Sequence, residues 1–296
     1  MQRRSGKVLI AFAILMLVIA TACAKSKTKT EGGPTPSPGL KTLLAGKFQI
    51  GTDMPYAPFE SLDSKGNAVG FDVDLFDEVA RRLGYKTVWY NAVFDTIFTS
   101  VALGAKWDIV VSAVTGYAPK GTAAGDKVAE RSKIVLFGKP YYSSIQSLTV
   151  NTTKTPDLKT TDGLKRGDKV AVQSGTTGET WAQEHLQAKG IELKGFIKAP
   201  DMFLALDSGT VKGIINDLPV SVDAVKNKPD LKVVEQIETG EQYAYAYAKD
   251  NTGLRDAVDA QLVAIFDDGT YARILKKWFP DQELPSYAKP APSSSP

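Results

Sequence analysis

Cysteine and histidine are almost absent: the 296-residue chain holds one of each. A single thiol cannot close an internal disulfide or build a cysteine-rich zinc site, and one imidazole leaves little for histidine-based metal or triad chemistry. An enzyme built on this chain would have to run on carboxylates, lysine or hydroxyl groups. Excess charge is missing too. The formal charge is +3, but Arg3, Arg4 and Lys7 lie in a segment expected to be removed, and without them 33 of the 36 basic residues face 33 acidic ones. A neutral mature chain speaks against a nucleic-acid partner. Collagen-like and low-complexity compositions are excluded by 25 Gly, 16 Pro and 43% apolar residues, over a length that suits two compact lobes. Beyond the N-terminus, no apolar run reaches the length of a membrane-spanning helix, about 20 residues.

What is present begins with a leader. Arg3, Arg4 and Lys7 precede an unbroken apolar run from Val8 to Ala20, then Thr21, Ala22 and Cys23. This is a basic segment, an apolar core too short to span as a stable helix, and a small-residue cleavage site. It resembles a bacterial lipoprotein signal, which implies that residues 1–22 are removed and that Cys23 is diacylated and becomes the new N-terminus. Two acyl chains hold a soluble domain at a membrane where one is marginal. The alternative is an uncut hydrophobic N-terminal helix; Ala20 stands where such signals usually carry Leu. Residues 23–42 then read as lipidated cysteine and tether, because Lys25 to Pro38 offers nothing to bury. Residues 281–296 read as a disordered tail. The folded part lies outside the cell membrane.

Between these ends, strand-like and helical patterns alternate. Phe48 to Gly51, Thr87 to Tyr90 and Ile109 to Val114 read as strands, the last apolar on both faces as a strand covered by helices would be. Phe76, Val79, Ala80 and Leu83 form a helical stripe that follows Asp72 and Asp74 and is closed by Gly84; Ile97 and Val101 belong to another that ends at Gly104. A second series repeats the alternation: Lys169 to Gln173, a helix through Trp181 to Lys189 closed by Gly190, a strand at Phe196 to Ala199, a helix started by Pro200 and closed by Gly209, and a strand at Gly213 to Asn216. Leu254 to Trp278 reads as long amphipathic helix. The expectation is an α/β chain with two parallel sheets.

Four stretches look like a site, each where a strand ends, the place where open α/β sheets hold ligands. They are Gly51 to Phe59, a proline-fixed loop with one carboxylate and two rings; Gly70 to Asp74; Ser174 to Gly178, a small-residue turn that aims backbone N–H groups at an anion; and Asn216 to Pro219. Each alone has an ordinary reading as a helix cap or tight turn. Together, in this order and spacing, they resemble the extracellular solute-binding proteins of family 3, the amino-acid receptors of bacterial ABC importers. The likeness covers about residues 43–280. It is most specific at Ile50 to Phe59, similar to the lysine/arginine/ornithine-binding member, and it continues in Asp268 to Tyr271 and Lys276 to Phe279.

That resemblance implies a type II periplasmic-binding-protein clamp with two hinge strands, near Ser147 to Val150 and Tyr243 to Lys249. Lobe 1 would comprise residues 43–146 plus 247–280, and lobe 2 residues 147–246. It implies a monomer that needs no cofactor or metal, hands a free amino acid to a permease, and grips the α-carboxylate with an arginine, Thr115 and the N–H groups of Thr176 and Thr177. Asp217 would take the α-ammonium; Tyr56 and Phe94 would flank the side chain, and Ser112 and Ala113 would offer backbone groups. Core packing is the ordinary reading of the two rings. The family spaces its threonine and arginine five apart, whereas Thr115 and Arg131 are separated by 16 positions. Counting back from Phe137, Pro140, Tyr141 and Tyr142 gives Arg131; counting forward without a gap gives Lys120. Arg131 is preferred because only guanidinium makes a two-pronged contact with carboxylate. The intervening Gly116 to Ala129 reads as a surface loop that shields the ligand or merely decorates the cleft mouth.

For ligand identity, Asp53 and Asp72 match carboxylates that receive a cationic side chain in the lysine/arginine/ornithine binder, although members with neutral ligands keep acids there. Gln173 replaces a Lys of some glutamine binders, and Asn216 a His beside the ammonium-binding Asp. Two acids and no evident cation at the side-chain end point to a polar or basic amino acid. Two rivals stand against the receptor. One is a periplasmic cyclohexadienyl dehydratase-like enzyme on the same clamp, with Asp53 or Asp72 as general acid if burial keeps it protonated. The other is the sensor domain of a membrane kinase, which needs a transmembrane helix and a signalling domain after residue 280.

Overall fold

The computed structural model describes residues 39–288. The leader, Cys23, residues 24–38 of the expected tether 23–42 and residues 289–296 of the expected tail 281–296 lie outside the described residues. Residues 281–288, expected to be disordered, pack on the core instead: Gln282 accepts from Tyr142 Oη at 2.6 Å, and Ala288 is buried. In chain order the elements are β1 (Lys47–Thr52), β2 (Ser61–Leu62), β3 (Ala68–Val69), α1 (Phe71–Leu83), β4 (Lys86–Asn91), α2 (Phe94–Ala102), β5 (Ile109–Val110), β6 (Thr115–Tyr117), α3 (Ala123–Arg131) and β7 (Val135–Asn151). They continue with β8 (Lys169–Gln173), α4 (Thr177–His185), β9 (Glu192–Phe196), α5 (Ala199–Ser208), β10 (Gly213–Asp217), α6 (Leu218–Val225), β11 (Leu231–Ala248), α7 (Thr252–Asp267) and α8 (Thr270–Trp278). No helix among the described residues is long and apolar enough to cross a membrane.

The helix ends follow from local chemistry. Gly84 takes the left-handed conformation and its N–H returns to Ala80 and Arg81, while Asp72 and Asp74 sit in the first turn of α1; glycine at the C-terminus and acids at the N-terminus complement the helix dipole. Gly190 and Gly209 take the same left-handed conformation. The expected single helix from Leu254 to Trp278 is broken into α7 and α8 at Gly269, whose φ is +77°.

In place of two parallel sheets, one mixed sheet runs β4-β1-β5-β11-β7-β10-β8-β9 through both lobes, with β6 on β11. Strands β4, β1 and β5 are parallel in the first lobe, as are β10, β8 and β9 in the second. The long β7 and β11 are antiparallel to one another and join the two sets. Only their hinge stretches, Ser147 to Val150 and Tyr243 to Lys249, are expected as strands from the sequence; those stretches are buried on both faces as far as Ala248, and hydrophobic alternation does not mark the full extent of either strand. The stretch Tyr243-Ala244-Tyr245-Ala246-Tyr247 is the exception. Its period of two sends three tyrosines into the core that also holds Phe71, Tyr141 and Leu262, and the alanines onto Val101, Trp107 and Val110. Tyr141 and Tyr245 stack with centroids 4.5 Å apart.

β7 and β11 pair with one another from Val135–Ala248 to Asn151–Leu231, while the strands on their outer edges differ from lobe to lobe. Gln146 to Val150 also pair with β10 of the second lobe, and Ala246 and Tyr247 with β5 of the first. Between the paired residues Ile237 and Glu241, the segment Glu238 to Gly240 stands opposite Ile145 alone, and Gly240 has φ +65°. That bulge is the widest of four register shifts in the strand pair. It precedes the expected hinge at Tyr243 to Lys249, and on β7 the pairing with β10 begins at Gln146, one residue before the expected Ser147 to Val150.

Three further differences are local. The strand expected over Ile109 to Val114 is regular only at Ile109–Val110, after which the chain turns and Ala113 adopts φ +44°. The strand expected at Phe196 to Ala199 ends at Phe196, because Ala199 already opens α5. The supposed loop Gly116 to Ala129 carries most of a helix, α3, capped by Thr122, whose hydroxyl accepts from Gly125 N at 3.1 Å.

Candidate functional site

A cavity of about 10 Å³ lies between the two sets of strands, lined by Asp53, Tyr56, Phe94, Ser112, Ala113, Thr115 and Arg131 from the first and by Gln173, Thr176, Thr177 and Asp217 from the second. That is about the room of one water molecule, far short of the roughly 300–1,000 Å³ of small-molecule sites, so admitting a ligand requires the two sets of strands to part. All eleven were singled out in the sequence. Asp72 and Asn216 are not in the lining: Asp72 is fully buried, and Asn216 meets the site through Tyr56.

Arg131 ends α3, which packs against α4 of the second lobe. Its guanidinium is 4% exposed, donates to the carbonyls of Thr115 at 3.0 Å and Gly175 at 3.1 Å, and has no partner for Nε. The rings of Phe94 and Phe98 lie 5.3 and 4.9 Å from its central carbon, a cation–π arrangement. No ion pair includes it among the described residues. Burial pulls its pKa down to about 10, opposed by the charges of Glu241 and Asp217. Lys120, the other candidate, is exposed in the turn before α3.

Opposite stands Asp217, at the end of β10. Its Oδ2 lies 2.7 Å from the hydroxyls of both Tyr56 and Tyr243, and its Oδ1 accepts from Gln146 Nε2 at 2.5 Å. Tyr56 Oη is also 3.1 Å from Asn216 Oδ1, but its one proton is best given to the charged acceptor. Burial, then the neighbouring Glu241, pushes the Asp217 pKa up to about 6 against these donors. All of its donors are neutral.

The turn before α4 is held by reciprocal caps: Thr176 Oγ1 accepts from Glu179 N at 3.1 Å and Glu179 Oε2 accepts from Gly175 N at 2.8 Å. The leading N–H groups of the helix have no intrahelical acceptor and suit an anion. Gly175 must be glycine. Its φ is +81°, and a Cβ there would stand 2.7 Å from Asp95 Oδ1 across the cleft.

At a third place, Asp53 accepts from Gln173 Nε2 at 2.6 Å and forms an ion pair with Lys198, a residue of the second lobe just before α5. Lys198 Nζ also meets Met54 O at 3.1 Å, Asn91 Oδ1 at 3.1 Å and Ala92 O at 2.9 Å, all first-lobe acceptors. Burial raises the Asp53 pKa, and Lys198 and Gln173 oppose that. Beneath the cavity, Ser112 Oγ accepts from Asp53 N at 2.9 Å and donates to Glu60 Oε1 at 2.8 Å. Asp72 Oδ2 accepts from Ala113 N at 2.9 Å and Tyr141 Oη at 2.7 Å, which ties Asp72 to the lining from behind. Burial pushes Asp72 up to about 7 and, with the neighbouring Asp72 charge, Glu60 well above its usual value.

Sequence reasoning missed Glu241, Gln146 and Lys198. Glu241 is 1% exposed and accepts from Thr115 and Thr177; Gln146 donates to both Asp217 and Glu241. The available signal was a carboxylate and an amide at buried positions of two long strands, which only becomes legible once those strands are known. Lys198 had no signal at all, since its partner is 145 residues away.

The family with matching sequence features is the bacterial extracellular solute-binding proteins, family 3, over residues 48–281. The ABC transporter arginine-binding protein 1 of Escherichia coli (strain K12) is 31% identical over 242 residues, covering 80% of this chain and 92% of that one. An ancestral arginine-binding protein bound to arginine superposes with a TM-score of 0.71 at 32% identity, covering 79% of this chain and 98% of the other. An ancestral amino-acid-binding protein, a precursor of cyclohexadienyl dehydratase, gives a TM-score of 0.68 at 32% identity, covering 79% and 95%. With the match spanning most of the chain and the two-lobed fold in common, this protein belongs to the bacterial extracellular solute-binding proteins, family 3.

Proposed function

We propose that the chain is the receptor of an amino-acid ABC importer, closing two lobes on a free polar or basic L-amino acid. One observation carries the reading: a buried cation without an ion pair, Arg131, and a buried anion without one, Asp217, line a single enclosed cavity from opposite lobes. A zwitterion supplies both missing charges at once, and a buried charge without its counter-charge is expensive. The α-carboxylate goes to Arg131 and the N–H groups of the α4 terminus, and the α-ammonium to Asp217. Tyr56 and Phe94 flank the ligand, Ser112, Ala113 and Thr115 contribute groups from the first lobe, and Asn216 borders Tyr56. Closure is a population shift, because only the closed form offers both charges.

In this reading residues 43–146 plus 247–280 and residues 147–246 move as two lobes. The receptor acts as a monomer outside the cytoplasm, held to the membrane through lipidated Cys23, and delivers its ligand to a permease. The arginine-binding relatives support the amino-acid class. The dehydratase-like alternative draws support from the likeness to a dehydratase precursor. It is disfavoured because Asp53, its candidate general acid, is ion-paired to Lys198, and Asp72 lies outside the lining.

Mass spectrometry of small molecules retained by the purified protein, followed by calorimetric titration of the 20 common amino acids, tests the reading. One amino acid should bind at micromolar Kd or tighter. Binding of none, together with turnover of prephenate or arogenate, would replace the receptor with the enzyme.

A further inference from the structure

Three charged side chains line the cavity, Asp53, Arg131 and Asp217. A bound zwitterion uses Arg131 and Asp217, which leaves Asp53 to face the ligand's side chain. Asp53 is not free. Lys198 reaches it from the other lobe and sits among four first-lobe acceptors, while Gln173 Nε2 occupies its second oxygen at 2.6 Å. We propose that this cross-cleft Lys198–Asp53 pair makes the side-chain end of the cavity electrically neutral, so that the ligand carries an uncharged polar side chain, an amide or a hydroxyl. The proposal rests on the receptor reading above and narrows its polar-or-basic class.

Both charged alternatives fail on the same geometry. A cationic side chain reaching Asp53 would either stand beside the Lys198 ammonium, like charge against like in a site with little water, or expel it from its acceptors. An anionic side chain finds Lys198 already paired. An uncharged polar group meets neither penalty. With Gln173 Nε2 committed to Asp53 and to Ile197 O at 3.1 Å, the oxygen of the same amide remains to accept from a ligand N–H or O–H. Lys198 is therefore a specificity-determining residue, and it also latches the second lobe to the first.

The test is calorimetric titration of the purified full chain with glutamine, asparagine, serine, arginine, lysine and glutamate, repeated on Lys198→Met and Asp53→Asn. The wild type should bind one of the uncharged three at least tenfold more tightly than arginine, lysine or glutamate. Lys198→Met, which keeps the alkyl stem but frees Asp53, should move the ratio of arginine to uncharged affinity at least tenfold toward arginine. Asp53→Asn, which frees Lys198, should move it tenfold toward glutamate, and it carries the test if Lys198→Met does not fold. Wild-type binding of arginine or lysine as tightly as any uncharged amino acid, or unchanged ratios in the folded variants, overturns the proposal and leaves the receptor standing. Binding of none of the six while an amino acid without an amide or hydroxyl in its side chain is retained overturns the side-chain class; binding of no amino acid at all removes the receptor reading as well.

Discussion

Thr115 and Thr177, one from each lobe, donate their hydroxyl protons to the same oxygen, Glu241 Oε2, each at 2.6 Å. Glu241 follows the bulge on β11, and its other oxygen accepts from Gln146 on β7 at 3.1 Å. A hydroxyl has one proton. With both given to Glu241, the threonines cannot also donate through Oγ1 to a ligand carboxylate, which then depends on Arg131 and backbone N–H groups.

Glu241 thus bridges the lobes without ligand. Glu241→Ala should enlarge the open population of the unliganded protein, seen as a larger radius of gyration by small-angle scattering, and should weaken ligand binding about twofold to 150-fold, in line with the roughly 0.5–3 kcal/mol coupling of such networks. An unchanged radius and affinity would show that the bridge contributes nothing to closure.

In the proposed reading, Arg131 binds the ligand's carboxylate. Arg131→Ala should reduce affinity at least thirtyfold, since truncating one member of a buried charge pair costs about 2–5 kcal/mol. Arg131→Lys should recover little, because an ammonium lacks the planar fork. Titration calorimetry decides; a change within about threefold, well below the roughly 1.4 kcal/mol of a decade, would move the role to Lys120.

Ligand binding should fail in acid. Asp217 has a pKa of about 6 before ligand arrives, and only its ionised form pairs with an ammonium. Affinity should therefore be level above pH 7 and fall as pH drops through 6, with proton release on binding at pH 5.5 in calorimetry. Because Glu241 is one cause of the raised pKa, Glu241→Gln should shift this fall to lower pH. An affinity flat from pH 8 to 5 would contradict the role of Asp217.

Stability of the unliganded protein should run the other way. Asp72 is held at about 7 by burial, far above its model-peptide value of 3.8, so between these limits the folded state binds the extra proton. Stability then rises as pH falls from 8 toward 5 and is lost in the opposite direction. Asp72→Asn keeps an acceptor for Ala113 N and Tyr141 Oη while removing the buried charge. It should raise the melting temperature at pH 8 by several degrees and flatten its pH dependence, as scanning calorimetry would show; an equal Tm loss at every pH would refute this account of the carboxyl.

The sequence by itself determined the local elements and the contents of the cavity. Gly84 and Gly209 ended helices because only glycine enters the left-handed region without strain, and the strand-end loops around Asp53, Thr176 and Asp217 carried residue types suited to a zwitterion. The position of Arg131 could be counted from the residues after it. Tertiary structure alone decided that β7 and β11 run through both lobes and merge the expected two sheets into one. The extent and partners of such strands are set by pairing across long sequence separations, which no local pattern records. Structure alone also paired Lys198 with Asp53. A charge contact between residues 145 apart leaves no trace in local pattern.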